Sequence, residues 1–180
     1  MSQINITYFQ SPYGELIIGS YNNQLCLCDW HHRKMRESID RRICQKLEAS
    51  FVEQEDDVIK MTIAQLQEYF NGSRKDFDIP LLFCGTDFQN KVWNELLHIS
   101  YGSTSTYMKQ ALKLNNKEAI RAVASANGAN AISIIVPCHR IIGTNGDLIG
   151  YAGGLSTKQK LLTLENSQFN KNESQQQLIF

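Results

Sequence analysis

The chain carries no net charge: 18 Lys/Arg balance 18 Asp/Glu. That removes the strong electrostatic pull of a purely charge-driven polyanion binder. No stretch approaches the ~20 apolar residues that cross a bilayer, and the opening MSQINITYFQ lacks the basic start and apolar run of a secretion signal. A cytoplasmic protein that avoids membranes is expected. The five cysteines (Cys26, Cys28, Cys44, Cys84, Cys138) are odd in number and fit no disulfide framework, so free thiols in a reducing compartment are the simpler reading. No internal repeat is present.

What is present is enough apolar material, 42% of 180 residues, to bury a real core. The neutral total hides an asymmetry. Residues 1–84 hold nine Lys/Arg against twelve Asp/Glu, whereas residues 85–165 hold eight against five. The sequence pattern changes at the same place. INITYFQSPYGELIIGSYNNQLCLCDW reads as three short antiparallel strands broken at Ser-Pro-Tyr-Gly and Tyr-Asn-Asn. A helix over about residues 35–51 should follow, then a second in VIKMTIAQLQEYFNG, with Ile59, Ile63, Leu66 and Phe70 at helical spacing. SRKDFDIPLLFCGT has a proline and no clear period, so the domain junction is placed there.

Beyond it the helical stretches are DFQNKVWNELLHI, STYMKQALKL, NKEAIRAVASANG and STKQKLLTLEN. The expected class is therefore α+β: an N-terminal unit (1–84) with a small antiparallel sheet and helices, and a mainly helical C-terminal unit (85–167). Residues 168–180 should form a polar tail, frayed except for an apolar anchor at its end.

Only Asn115 and Asn116 join the helical stretches STYMKQALKL and NKEAIRAVASAN, the short turn of a helix-turn-helix. Ala119, Val123 and Ala126 would face inward, with Lys117 and Arg121 on another face. An ordinary helical hairpin and a DNA-binding one both fit. The small residues of AVASANGANA suit close approach to a duplex, and they suit tight helix packing equally.

IVPCHRII sets Cys138 after Pro137, and ISIIV reads as a short buried strand that delivers it to a strand end. A thiol becomes a good nucleophile only where a base or positive field favours the thiolate. His139 and Arg140 are the immediate candidates, yet neighbours in an extended segment point apart, so direct Cys-His contact needs a turn or a bridging water. On spacing alone, a buried inert thiol is the commoner outcome.

IVPCHRII closely resembles the active-site signature of the O6-alkylguanine-DNA alkyltransferases. FQNKVWNELLHISYGSTSTY, AIRAVASANGAN, YAGGL and KLLTLE resemble further blocks of that family in order, and SPYGEL is similar to its first hairpin. The resemblance implies repair of O6-methylguanine, with O4-methylthymine a second candidate substrate. The alkyl group would pass to Cys138 from a flipped nucleotide and inactivate the protein after one turnover. His139 would be the base acting through water, Glu165 the carboxylate orienting it, and Asn130 part of the same hydrogen-bonded line.

Tyr107 would contact the extruded guanine and Arg121 would fill the vacancy in the stack. Ala122, Ala126, Asn127 and Gly128 would lie in the minor groove, with Arg140 and Ala152 as further DNA-side contacts. The implied partner is double-stranded DNA, with no cofactor and no obligatory protein partner. Ala152 stands where some relatives have serine, which leaves a backbone N–H for the guanine oxygen.

The zinc-ligand pattern of some relatives is not reproduced. CLCDWHH still groups Cys26, Cys28, His31 and His32: two cysteines two apart would share a strand face and could take zinc with a histidine. Core packing of the cysteines and a solvated histidine turn are the commoner outcome. A Cys-His hydrolase would use the same dyad but would need an oxyanion hole. A lesion-binding relative without catalysis would lack the acceptor cysteine.

Overall fold

The computed structural model describes residues 2–166, so the expected tail and its apolar anchor lie outside the described residues. The alternating N-terminal pattern forms β1 (Ser2–Ser11), β2 (Gly14–Tyr21) and β3 (Gln24–Trp30), an antiparallel meander. Asn22 and Asn23 join β2 to β3 with φ of 48° and 60°. Asparagine tolerates this left-handed region, and the resulting tight turn matches the strand twist.

The helix expected over 35–51 is shorter. Helix α1 spans Arg36–Leu47 and ends at Glu48, whose φ is 49°. The chain then returns as β4 (Ala49–Glu53), parallel to β1, so the sheet is mixed, with order β3-β2-β1-β4. The α1 crossover makes that parallel pairing possible.

Helix α2 (Asp57–Phe70) starts at Asp56, whose carboxylate accepts from Ile59 N at 3.0 Å. The same carboxylate accepts from Asn5 at 2.8 Å and from Ser20, so one cap both starts the helix and ties it to β1 and β2. Its buried face is Val58, Ile59, Thr62, Gln65, Leu66 and Tyr69. Ile63 and Phe70 are only partly buried, so the core-facing stripe is rotated from the expected one, and Tyr69 lies inside it.

The register of β3 changes opposite Gly19/Ser20, leaving Cys26 as a bulge. A bulge breaks the two-residue period. Cys26 therefore packs with Ile17 and Leu27, while Cys28 packs in the other cluster with Leu16, Ile18 and Trp30. The two cysteines do not share a face, and neither can join His31 and His32 around an ion.

In the second half, α3 (Asp87–Leu96) opens with a capping box between Thr86 and Gln89. Strand β5 (Ser105–Thr106) leads into α4 (Tyr107–Lys113), capped by Thr106. The connection to α5 (Ile120–Gly128) is longer than two residues: Asn115 has φ 55° and a single 3-10 turn covers Lys117–Ala119. Strand β6 (Ile141–Ile142) pairs in parallel with β5, and α6 (Leu155–Glu165) closes the described chain.

The expected strand in ISIIV is instead a buried turn. Asn130 explains it: Oδ1 accepts from Ile132 N at 2.9 Å, and Nδ2 donates to the carbonyls of Ile132 (3.3 Å) and Val136 (3.0 Å). One side chain thus satisfies backbone groups that a sheet ladder would otherwise take. Ile134 sits in this turn with φ 71° and is buried. A β-branched residue there stores backbone strain beside the motif.

The outer edge of β3 organises the two halves. Leu25 N donates to Pro80 O at 2.7 Å and Leu82 N to Leu25 O at 2.8 Å, so the junction segment is pinned along the edge. Three residues further on, Cys28 N donates to Ala131 O at 2.9 Å and Ser133 N to Cys28 O at 2.6 Å. The turn before Cys138 therefore docks on the N-terminal sheet.

Candidate active site

Pro137 ends the buried turn and Cys138–Arg140 form one 3-10 turn, so the cysteine is delivered by a bend of the chain and not by a strand end. The β5–β6 pairing fixes the residues just after this turn beside the start of α4, where Tyr107 stands. Cys138 is 8% exposed, and Asn130 Nδ2 donates to its Sγ at 3.3 Å. Burial raises the thiol pKa, partly offset by the Asn130 hydrogen bond and the positive charge of Lys158. The resting group is the thiol, and a proton must leave for the thiolate to form.

His139 is fully buried. Its Nε2 donates to Glu165 Oε1 at 2.8 Å, while Nδ1 has no partner among the described residues. Burial lowers the imidazole pKa against the opposing pull of Glu165. The ring is therefore neutral near pH 7, with Nδ1 free to accept a proton.

Glu165 is the hub. Besides His139 it accepts from Arg140 Nε and Nη2, both at 2.9 Å, from Tyr69 Oη at 2.8 Å, and from Gly102 N at 3.2 Å. Burial alone would push its pKa up, but the hydrogen bonds and charges of His139 and Arg140 outweigh this and hold it at about 2. Tyr69 comes from α2, so the N-terminal half supplies a donor to the carboxylate that orients His139. Sequence reading missed it, because a tyrosine on a buried helix face looks like core. Tyr69→Phe keeps the ring and removes only this donor. With one donor fewer, Glu165 holds the imidazolium more tightly. The acid limb of the pH profile for iodoacetamide modification of Cys138, followed by peptide mass spectrometry, should move up by about half a unit; an unchanged profile would refute the coupling.

A cleft of about 730 Å³ opens onto Cys138, with Tyr13, Trp30, Tyr107, Asn127 and Tyr151 among its walls. Tyr107 Oη donates to Ile149 O at 3.1 Å, and Ala152 also lines the cleft. On α5, Arg121, Ala122, Ser125 and Gly128 are exposed and spaced to share one face, beside the cleft. Three residues expected on the DNA side are placed otherwise. Ala126 is buried, its carbonyl taken by the Trp93 indole at 2.8 Å. Asn127 is buried and donates to Gln110 Oε1 at 2.7 Å, although it reaches the cleft wall. Arg140 is buried against Glu165 and donates to Ile99 O at 2.6 Å, because the carboxylate needs a cation more than the surface does.

Lys158 was also missed. It is fully buried, and Nζ donates to the carbonyls of Ile141 (2.6 Å), Ile149 (2.8 Å) and Gly150 (3.2 Å). It thereby holds both ends of the loop that carries Tyr107's acceptor. Burial lowers its pKa to about 8, partly offset by Cys138. Across the cleft, Trp30 Nε1 donates to Tyr151 Oη at 3.1 Å. A Cβ at Gly153 would fall 2.7 to 2.9 Å from atoms of the Trp30 ring. Gly153→Ala should overpack this wall and cost about 1–3 kcal/mol, measured by urea unfolding; a neutral change would show that the loop yields freely.

Both halves of the chain resemble known proteins. Residues 4–83 match the ribonuclease-like domain of 6-O-methylguanine DNA methyltransferase and residues 87–167 match its DNA binding domain. A methylated-DNA–protein-cysteine methyltransferase of Methanosarcina acetivorans is 42% identical over 159 residues, spanning 88% of this chain and 96% of the relative. The Haemophilus influenzae protein of the same name is 38% identical over 172 residues, spanning 92% and 88%. The crystal structure of Mycobacterium tuberculosis O6-methylguanine methyltransferase superposes with a TM-score of 0.77 at 36% identity, covering 91% of this chain and 93% of that one. The structure of the M. tuberculosis protein in complex with DNA gives 0.76 at 35% identity, covering 92% and 93%. With a relative 42% identical along nearly its whole length, this chain belongs to the methylated-DNA–protein-cysteine methyltransferase family.

Proposed function

We propose that this protein repairs O6-alkylguanine in duplex DNA by moving the alkyl group to Cys138, once per molecule. The observation that carries the reading is the cleft that ends on a buried thiol held by Asn130, beside the exposed small-residue face of α5. That face, with Arg121, Ala122 and Gly128, would enter the minor groove. The target nucleotide would rotate into the cleft, at a cost of a few kcal/mol that is least for a damaged base. Arg121 would fill the space left in the stack.

In the reaction the Cys138 proton passes through a water to His139 Nδ1, and Glu165 stabilises the imidazolium. The thiolate attacks the saturated carbon in line, an S–C bond forms, and the C–O6 bond breaks. The electron pair stays on the purine, which takes up a proton through a ring nitrogen assisted by Tyr107. The Ala152 N–H would donate to the guanine oxygen. No second nucleophile removes alkyl from the thioether, so the protein is consumed. O4-methylthymine offers an equivalent O-methyl group and is a second candidate substrate.

Titration of a duplex containing one O6-methylguanine with increasing protein tests this: repaired DNA should rise linearly and stop at one per chain. Continued turnover would refute the single-use reading. The added methyl also occupies packed space, so the alkylated form should be less stable by about 1–3 kcal/mol. Its melting temperature should fall by several degrees, and a rise would contradict this.

A further inference from the structure

The β2–β3 hairpin ends in a group of side chains that the repair chemistry does not use. In the ladder Leu16 faces Trp30, so the next pair is Glu15 and His31, joined by His31 N donating to Glu15 O at 3.0 Å. Cross-strand partners project from the same face. His31 Nδ1 accordingly lies 2.5 Å from Glu15 Oε2. His32 Nε2 lies 3.7 Å from the same oxygen, and the three ligand atoms fall within 4.8 Å of one another.

A solvent-exposed histidine at the end of a hairpin has many free rotamers. Yet His32, with 82% of its side chain exposed, lies over His31 with ring centroids 4.6 Å apart. His31 is backed in turn by Tyr8 at 4.9 Å. The first ligand pair is thus set by the sheet, and the third swings in from solvent.

We propose that Glu15, His31 and His32 form a site for one divalent transition-metal ion of the zinc class. Two imidazoles and one carboxylate suit zinc, nickel or copper, and not calcium or magnesium, which prefer all-oxygen shells. Ligand bonds of about 2.0–2.2 Å need donor atoms roughly 3.4 Å apart in a tetrahedron, within reach of small side-chain rotations here. Three protein ligands leave the fourth position open. Glu15 and His32 also line the cleft that reaches Cys138, so a bound ion would place positive charge at its rim.

The set differs from the Cys26/Cys28/His31/His32 grouping suggested by sequence. Glu15 replaces the cysteines, which are buried on opposite faces of the sheet. The site does not depend on the repair reading.

The test is titration of chelator-stripped full-length protein with zinc chloride by calorimetry, and separately with cobalt chloride by visible absorption. One saturable ion per chain is expected, with a cobalt spectrum free of thiolate charge-transfer bands. Binding should be lost in the His31→Ala/His32→Ala double variant and in Glu15→Gln, each with unchanged melting temperature in chelator. The absence of saturable binding, binding that survives the double variant, or a thiolate band would each overturn the proposal. Zinc-induced thermal stabilisation present in wild type and absent from the double variant gives an independent reading.

Discussion

Replacing Glu165 by alanine should cost about 3–5 kcal/mol of folding stability and slow methyl transfer by at least about 100-fold. The carboxylate neutralises Arg140 in a buried site and fixes the Nε2–H tautomer of His139. Without it, a guanidinium remains buried without a counterion, which is the costly way to break such a pair. Glutamine cannot restore the arrangement. Oε1 accepts from His139, Arg140 and Tyr69, and Oε2 from Arg140 and Gly102. Whichever way the amide points, its NH2 would face donors.

The same carboxylate sets an acid limit. Its folded pKa of about 2 lies below the usual 4.5. A carboxylate with a depressed folded pKa contributes stability that is fully present above its unfolded pKa and is lost as pH falls through the folded value. Glu165 should thus contribute about 3 kcal/mol above pH 4.5, declining toward pH 2. Urea unfolding of wild type and Glu165→Ala across this range should converge at the acid end. Parallel curves would contradict the assignment.

The second large effect is expected at Asp29, on β3 of the N-terminal sheet. Asp29 is fully buried and accepts from Arg33 at 2.7 Å, Arg36 at 3.0 Å and Ser133 Oγ at 2.9 Å. Arg33 continues to Asn130 O at 2.9 Å and to Gly128 O. A single anion in the N-terminal sheet therefore holds the end of α5 and the turn that presents Asn130. Asp29→Ala should lose about 3–5 kcal/mol and lower the reactivity of Cys138 about tenfold, since a small misplacement of positioning groups is expensive. Arg36 retains Asp40 at 2.8 Å, so Arg33 carries most of the penalty. Denaturant unfolding together with the alkylation rate distinguishes this from a local surface effect. A loss below 1 kcal/mol would mean that the two halves are held together otherwise.

These contacts mark where sequence reasoning stopped. The meander and the positions of most helices were legible because each depends on neighbours within a few residues. Strand β4 was not, since ASFVE follows α1 without a glycine or proline and only parallel pairing with β1 makes it a strand. The bulge at Cys26 was equally silent, as it moves Cys28 to the other face without changing the pattern of residue types. ISIIV looked like a strand because its apolar run is strand-like. Its geometry is set instead by the side-chain hydrogen bonds of Asn130.

The group around Cys138 was legible through Cys138, His139, Asn130 and Glu165. Tyr69, Trp30, Asp29 and Lys158 were hidden for a common reason. Each reads locally as core or as surface charge, and its partners lie far along the chain or on loop carbonyls. Arg140, given as a DNA-side contact, is instead claimed by the buried carboxylate of Glu165, a partner 25 residues along the chain.

The central claim is that Cys138 alone receives the alkyl group. Incubating the protein with a duplex containing one O6-methylguanine, followed by digestion and peptide mass spectrometry, addresses it most directly. One methyl on the peptide carrying Cys138, unmodified peptides for Cys26, Cys28, Cys44 and Cys84, and no transfer by a folded Cys138→Ser variant are the predicted results. Methyl on another cysteine, or DNA demethylated by the Cys138→Ser protein, would contradict the account.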